Sequence, residues 1–158
     1  MRSREIATFW RYIAGSLDRL VGILDGLGEQ ELNWCPPAEA TNSLYTLAFH
    51  TLANAEENIL GTLCGQPTER HREDEFTRCV TQATSLQDHW RDLRIRLEVA
   101  LSALPSTELD AARTHPRRGQ VEGRDILIIV ARHAAEHLGQ AELTRDLMNA
   151  ASRKESPR

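Results

Sequence analysis

The amino-acid sequence predicts an all-α protein built as a four-helix bundle. Aromatic residues make up only 5% of the 158 residues, runs of β-branched residues are scarce, and apolar residues recur in four long segments. Within each segment their spacing alternates between four and three residues, which puts the apolar side chains on one face of a helix. The length suits a single domain with a substantial core. We expect one domain over residues 1–150 and a disordered tail over residues 151–158.

The first three helices are bounded by recognisable start and stop signals. We predict helices over residues 4–24, 43–63 and 85–104. A glycine pair at Gly26 and Gly28 follows the first, Ser43 can cap the second, and Pro105 ends the third. The connecting segments 29–41 and 106–122 are predicted to be loops, and residues 66–81 are predicted to form a surface loop or a short turn of helix. The alternating charges of residues 66–81 indicate a surface position.

The fourth predicted helix, residues 123–149, carries an unusual seam. Its four-three positions are Ile126, Val130, His133, His137, Gln140, Thr144 and Leu147. Apolar residues hold both ends of this seam, whereas its middle is polar, and a buried polar group without a partner costs about 1–3 kcal/mol. Two imidazoles at i and i+4 lie one above the other and can reach a single metal ion. The alternatives are core histidines hydrogen-bonded to neighbours, or a solvent-facing side of the helix.

A third histidine lies on the second predicted helix. His50 falls outside the apolar stripe of that helix, so it is either solvated or faces a separate polar space. If the second and fourth helices lie side by side, His50, His133 and His137 can meet at one height, since metal sites in bundles form where side chains of facing helices converge.

Composition narrows the classes of function. A formal net charge of -4 and a pI of about 5.9 argue against a nucleic-acid partner. No apolar run approaches the roughly 18–20 residues of a membrane span, so we expect no membrane partner. The three cysteines are widely spaced and form no C-x-x-C motif, which favours a reducing, cytoplasmic location over a disulfide framework.

A basic segment precedes the fourth helix. It contains Arg113, His115, Arg117 and Arg118, with Arg124 just beyond. Such a segment at a helix N-terminus could receive an anion, although a solvated loop is the favoured interpretation. At 1.5 Å per residue, the start of the helix lies about 15 Å from His133, so only an extended ligand would span both.

Several motifs together resemble the DinB-like proteins. They are the stretch from Leu32 to Pro36, Thr41-Asn42-Ser43-Leu44 leading to His50, Arg72-Glu73-Asp74-Glu75-Phe76, and the run from His133 to Gln140. The most specific feature is a histidine separated by 82 residues from an H-x-x-x-H pair that is followed by Gly-Gln. The resemblance extends from the first helix to about Met148.

This resemblance implies a four-helix bundle with a divalent metal bound by His50, His133 and His137. Zinc or nickel is the expected ion, and iron or cobalt suits the same three imidazoles. Three protein ligands leave a coordination position open, as in catalytic zinc sites. Some relatives are metal-dependent transferases or isomerases that use thiols such as bacillithiol or mycothiol, so a small-molecule thiol is the expected partner. A homodimer is a further expectation.

Three classes of function therefore stand at this point. The first is a metal-dependent thiol S-transferase or isomerase acting on a small electrophile. The second is a non-catalytic metal-binding or stress-response protein, and the third is a helical interaction module. No acid–base residue beyond the metal is evident, so catalytic residues stay unassigned. Glu57 and Gln140 are candidates to orient the ligand histidines, because metal-bound imidazoles usually donate their second N–H to an acceptor.

Overall fold

The computed structural model describes residues 3–155 and is mostly helical. Its elements are α1 (Arg4–Gly22), α2 (Glu29–Asn33), α3 (Leu44–Ala55) with a π-helical continuation (Glu56–Leu63), α4 (Thr84–Ala103), β1 (Ala112–His115), β2 (Gly119–Glu122) and α5 (Gly123–Glu155). Two short 3-10 turns, Arg72–Phe76 and Ser106–Leu109, lie in the connections. The prediction of a helical protein is thus confirmed at the level of a mostly helical fold.

One hydrophobic core holds the helices together. α1 packs along α5 and also contacts α3 and α4, while α5 packs along α3 and its π-helical continuation. The predicted apolar stripe of the first helix is fully buried: Ile6, Trp10, Ile13, Leu17, Leu20 and Leu24. Each fully buried leucine or isoleucine contributes about 1.5–3 kcal/mol of transfer free energy, so this stripe stabilises the packing of α1. None of the described helices combines the length and apolar character that a membrane crossing requires.

The connections contain more structure than the sequence predicted. The expected loop at residues 29–41 begins with the short helix α2. The expected loop at residues 106–122 contains an antiparallel hairpin, in which Ala112 pairs with Glu122 and His115 with Gly119. Gly119 adopts φ +72°, a conformation that glycine tolerates without strain, and this closes the turn. The fold is therefore helical with a small two-stranded sheet, rather than purely α.

The last helix continues past the predicted end of the domain. α5 runs to Glu155, so the first five residues of the expected tail are helical. Residues 156–158 lie outside the described residues. The buried side of α5 also differs from the predicted seam: Gln140 and Leu147 are exposed, and the core positions after Val130 are Ala134, Leu138, Ala141, Thr144 and Met148. His133 and His137 therefore flank the apolar stripe and do not interrupt it.

The second long helix changes its hydrogen bonding halfway along. Its predicted stripe is buried throughout, from Tyr45 to Leu63. From Glu56 onwards the helix is π-helical, as in the 3.0 Å bond from the Cys64 amide to the Ile59 carbonyl, five residues back. Asn58 Nδ2 donates to the Asn54 carbonyl at 2.8 Å, and a side chain inserted in this way disturbs the α-helical ladder. Gly65, at φ +67°, follows the end of this segment.

Candidate metal centre

Three histidines from α3 and α5 converge on one point. Each of His50, His133 and His137 offers a ring nitrogen, and these three nitrogens lie within 4.8 Å of one another. The ring centroids of His133 and His137 are 4.3 Å apart, and the His50 ring lies 5.0 Å and 5.3 Å from them. His50 is only 6% exposed, so of the two alternatives open in the sequence it takes the enclosed one. Three histidines in this arrangement could hold a metal ion.

Two of the rings are oriented by an oxygen acceptor on Nδ1. His50 Nδ1 lies 2.5 Å from a carboxylate oxygen of Glu75, and His137 Nδ1 lies 2.7 Å from the amide oxygen of Gln140. An acceptor there keeps the proton on Nδ1 and leaves the lone pair of Nε2 directed at the centre. Gln140 thus has the orienting position expected of it, whereas Glu57 does not contact a ligand ring.

Glu57 acts one step further out, in a chain of ion pairs behind His50. The guanidinium of Arg70 bonds Glu75 at 2.6 Å and Glu57 at 2.8 Å. Arg117, on the hairpin turn, bonds the same Glu57 carboxylate at 2.6 Å. Burial tends to raise the pKa of Glu57, but the hydrogen bonds from Arg117 and Arg70 outweigh it and hold this pKa below its usual value. The chain fixes the position of Glu75, and through it the His50 ring.

Burial keeps two of the imidazoles neutral. It lowers the pKa of His133 to about 3, aided by the neighbouring His137 and His50 rings. Burial also lowers the pKa of His50, although the Glu75 carboxylate works in the opposite direction. A neutral imidazole has a free lone pair at physiological pH, which is the form that binds metal.

The donor set fits a divalent ion with nitrogen preference. Nε2 of His50 and Nε2 of His133 are 3.1 Å apart. Two nitrogens bound tetrahedrally to zinc, each at about 2.0–2.1 Å, are about 3.3 Å apart, which is close to the observed separation. No fourth histidine, cysteine or carboxylate joins the cluster among the described residues, so the group has the three-ligand composition of catalytic sites.

Two cavities adjoin the histidine cluster, and His50, Arg72 and His133 line both of them. The first, of about 290 Å³ and called here the Phe76 cavity, is lined by Asn42, Thr46, Leu47, Arg72 and Phe76 together with the three histidines. The second, of about 230 Å³ and called here the arginine cavity, is lined by Asn54, Asn58, Arg72, His115, Arg117, Arg118 and Ile129 together with His50 and His133. Molecules in either cavity would adjoin His50 and His133.

The hairpin brings the basic segment to the histidines. His115 is buried and pairs with Asn58 Oδ1 at 2.9 Å, and its Nδ1 accepts the Arg117 amide at 3.0 Å. Burial and the neighbouring Arg117 lower the pKa of His115, so it serves here as a neutral hydrogen-bonding group and not as a cation. Because the hairpin folds back along the π-helical segment, Arg117 and Arg118 line a cavity that includes His133, and the separation of 15 Å expected from helix length alone does not apply.

The five basic residues divide into different roles. Arg113 bonds Glu108, and Arg124 bonds Glu5 and Asp110, so these two tie the hairpin and α5 to neighbouring segments. The side chain of Arg118 has no hydrogen bond or ion pair within the described part of the chain and is exposed. Of the two hairpin arginines in the cavity, Arg118 is therefore the more available to a ligand, because Arg117 is bonded to Glu57.

Sequence reasoning missed Glu75 and Arg70 as parts of the site. Both belong to residues 66–81, which the charge pattern assigned to the surface. Glu75 is in fact only 2% exposed, and the Arg70 side chain is 5% exposed. The available signal was the Arg72–Phe76 motif shared with the DinB-like proteins, which carried no indication of contact with His50.

Comparison with known proteins agrees with this geometry. A conserved protein from Enterococcus faecalis has a crystal structure similar to this fold, with a TM-score of 0.72, 18% identity, and coverage of 93% of this chain and 97% of that one. At that identity the likeness concerns the fold alone. No curated protein matches the sequence. The family model described as mycothiol-S-transferase matches residues 8–150. The resemblance to DinB-like proteins is thereby confirmed, and the chain belongs to the mycothiol-S-transferase family.

Proposed function

We propose that the protein is a metal-dependent thiol S-transferase whose divalent ion is bound by His50, His133 and His137. The observation that carries the proposal is the convergence of three imidazoles, two of them oriented through Nδ1 so that Nε2 points inward. Zinc or nickel is the preferred ion, with iron or cobalt as alternatives. We further infer that α1, α3 with its continuation, α4 and α5 form the four-helix bundle typical of DinB-like proteins.

A thiol is the substrate that the family description implies. A divalent ion with an open position supplies the means to keep a bound thiol deprotonated at neutral pH, which makes its sulfur a strong nucleophile. The three-histidine composition leaves that position available. The neutral state of His133 and His50 favours binding of the ion without competition from protons.

The two cavities supply space for two reactants beside the same histidines, because His50 and His133 line both. Polar side chains and two hairpin arginines line the arginine cavity, which suits the polar body of a thiol. Phe76 and Leu47 line the other cavity, which suits an electrophile with apolar carbon. The His50 ring lies 4.9 Å from the Phe76 ring, and His50 lines both cavities. A transferase needs this arrangement because the sulfur and the electrophilic carbon must approach each other at one point.

The test is a conjugation assay on the purified protein. Metal-free protein, zinc-loaded protein and nickel-loaded protein are incubated with mycothiol and monobromobimane, and the thioether product is measured above the uncatalysed rate. The proposal expects product formation with loaded protein and its loss in the His133→Ala variant treated with the same metals. The matched control is His71→Ala, which removes an exposed histidine outside the cluster. Equal rates with and without metal would refute the metal-dependent transferase.

A further inference from the structure

Two buried polar atoms of the described residues have no hydrogen-bond partner: Nδ1 of His133 and Oδ1 of Asn54. Both residues line the arginine cavity. Asn54 lies on α3 one turn after His50, and its residue is only 7% exposed. An unpaired buried donor or acceptor is destabilising, so native structures rarely retain one without a reason. Here the two residues that carry such atoms line the same cavity.

The two atoms are chemically complementary in one protonation form of His133. With its proton on Nε2, His133 can donate to Nε2 of His50, 3.1 Å away, and its Nδ1 is then an acceptor. Once Nε2 of His133 is a metal ligand, the proton has to be on Nδ1, which becomes a buried donor. Asn54 Oδ1 is an acceptor in need of a donor. Metal binding thus turns two unmatched atoms into a donor and an acceptor.

In each of the other two ligand histidines, Nδ1 already has an oxygen acceptor. Nδ1 of His50 has the Glu75 carboxylate and Nδ1 of His137 has the Gln140 amide oxygen. Metal-bound histidines almost always donate their second N–H to such an acceptor, which fixes the tautomer and the ring orientation. His133 is the one ligand of the proposed site without it, and no described atom other than Asn54 Oδ1 is a buried side-chain acceptor without a partner.

We propose that Asn54 is the positioning residue of His133: in the metal-loaded protein its Oδ1 accepts the Nδ1–H of His133, directly or through one water in the arginine cavity. A cavity of about 230 Å³ is ample for that water. Asn54 thereby holds the lone pair of Nε2 on the ion without touching it. The inference rests on the proposed metal site but not on the transferase reaction.

The test measures zinc affinity by competition with a chromogenic chelator, a readout independent of activity. Asn54→Leu keeps the shape of the side chain and removes the acceptor, and we expect zinc affinity to fall about tenfold to a hundredfold. Asn54→Asp retains carboxyl oxygens that accept a hydrogen bond and should stay close to the parent. The matched control is Asn58→Leu, which removes another buried asparagine from the same cavity wall, one whose groups are already paired with His115 and the Asn54 carbonyl. Its zinc affinity should stay close to that of the parent even where its thermal stability falls.

A measurement on the unsubstituted protein keeps the inference testable if Asn54→Leu fails to fold. In zinc-loaded protein, proton–nitrogen correlation spectra should show an Nδ1–H signal of His133 in slow exchange with water, like that of His50, whose Nδ1 has a buried acceptor. Absence of the His133 signal, or equal zinc affinity in Asn54→Leu and the parent, would overturn the role of Asn54 while leaving the metal site standing. Failure of the parent to bind zinc or nickel at all would remove the site and this inference together.

Discussion

The two sides of the histidine cluster are built in different ways. On the α5 side the hydrogen bonds already present are local: His133 and His137 are one turn apart, and Gln140 reaches His137 from the next turn of the same helix. On the α3 side, His50 depends on Glu75, which is 25 residues away along the chain. Glu75 in turn depends on Arg70, Glu57 and Arg117. One side needs only a helix to form, whereas the other needs a loop, a π-helical segment and a hairpin to assemble.

This difference implies unequal sensitivity to substitution. The Gln140 amide is exposed, so water can replace it, while Glu75 and Arg70 are buried and water cannot readily take their place. We therefore expect outer substitutions on the α3 side to cost more than those on the α5 side. Removal of any ligand itself should cost most, regardless of the side.

The largest effect is expected from loss of a ligand. His50→Ala, His133→Ala and His137→Ala should each lower the bound metal at least about tenfold, because two imidazoles chelate far more weakly than three. Elemental analysis after dialysis against metal-free buffer measures the content. His71→Ala, an exposed histidine, is the control and should keep about one ion per chain. Unchanged stoichiometry in any of the three variants would exclude that residue as a ligand.

The next largest effect is expected at Glu75. Glu75→Ala leaves the Arg70 guanidinium buried beside Glu57 alone and removes the acceptor of His50. Breaking a buried ion pair on one side costs about 3–5 kcal/mol, and losing an orienting acceptor lowers metal affinity about tenfold to a hundredfold. Urea unfolding and zinc competition measure the two quantities.

The matched control is Glu73→Ala, two residues away and exposed, which should change both quantities little. If Glu75→Ala and Glu73→Ala changed stability and zinc affinity by the same amount, Glu75 would have no special role in holding His50.

The sequence predicted the features that depend on neighbouring residues and missed those that depend on distant contacts. The helix bounds of α1, α4 and the start of α5 were predicted within about two residues, because caps, glycines and prolines act locally. The pair His133 and His137 and its partner Gln140 were also accessible, since i+4 and i+3 spacing on a helix requires no tertiary information.

The remainder depends on contacts that periodicity does not encode. The π-helical segment involves the Asn58 side chain within the ladder, and burial of Glu75 requires a guanidinium that neutralises it. Residues 66–81 read as surface because buried charge is rare unless paired, and the pairing partners are unknown before folding. The hairpin was missed for a similar reason: its four-residue strands are short, and one of them is fixed by the distant Asn58.

A smaller effect is expected at Arg118 in the arginine cavity. Arg118→Ser should raise the KM for a carboxylate-bearing thiol such as bacillithiol several-fold, and raise that for mycothiol, which bears no carboxylate, less. kcat and metal content should not change, because the side chain contacts no ligand histidine. The KM effect should shrink at high salt, since an exposed charge is screened over about 10 Å at 0.1 M.

Arg145→Ser provides the control for loss of one positive charge, because this residue lines neither cavity. An Arg118→Ser variant with the parent's KM for both thiols would remove the hairpin from substrate binding.

Substitution of Gln140, the orienting residue on the α5 side, should lower zinc affinity less than substitution of Glu75. Gln140→Leu removes the acceptor of His137 Nδ1, but the position is exposed and water can accept the bond instead. We expect zinc affinity to fall only about threefold, below the range typical of buried orienting groups. If Gln140→Leu lowered zinc affinity as much as Glu75→Ala in the same competition assay, the α5 side would be as sensitive to substitution as the α3 side. That result would contradict the expected difference between the two sides.

The smallest effect is the change in helical structure that we expect when the metal itself is removed. The apolar stripes of α1, α3 and α4 are buried against one another without help from the histidines. Far-ultraviolet circular dichroism at 25 °C should therefore be the same before and after chelation, unlike that of zinc fingers, which unfold without metal. Hydrogen exchange should nevertheless rise in residues 70–76, because their position depends on the His50–Glu75 bond, and stay constant in the core turns of α5. Loss of the helical signal on chelation would mean that the ion holds the fold together, and the difference between the two sides would then have no bearing on stability.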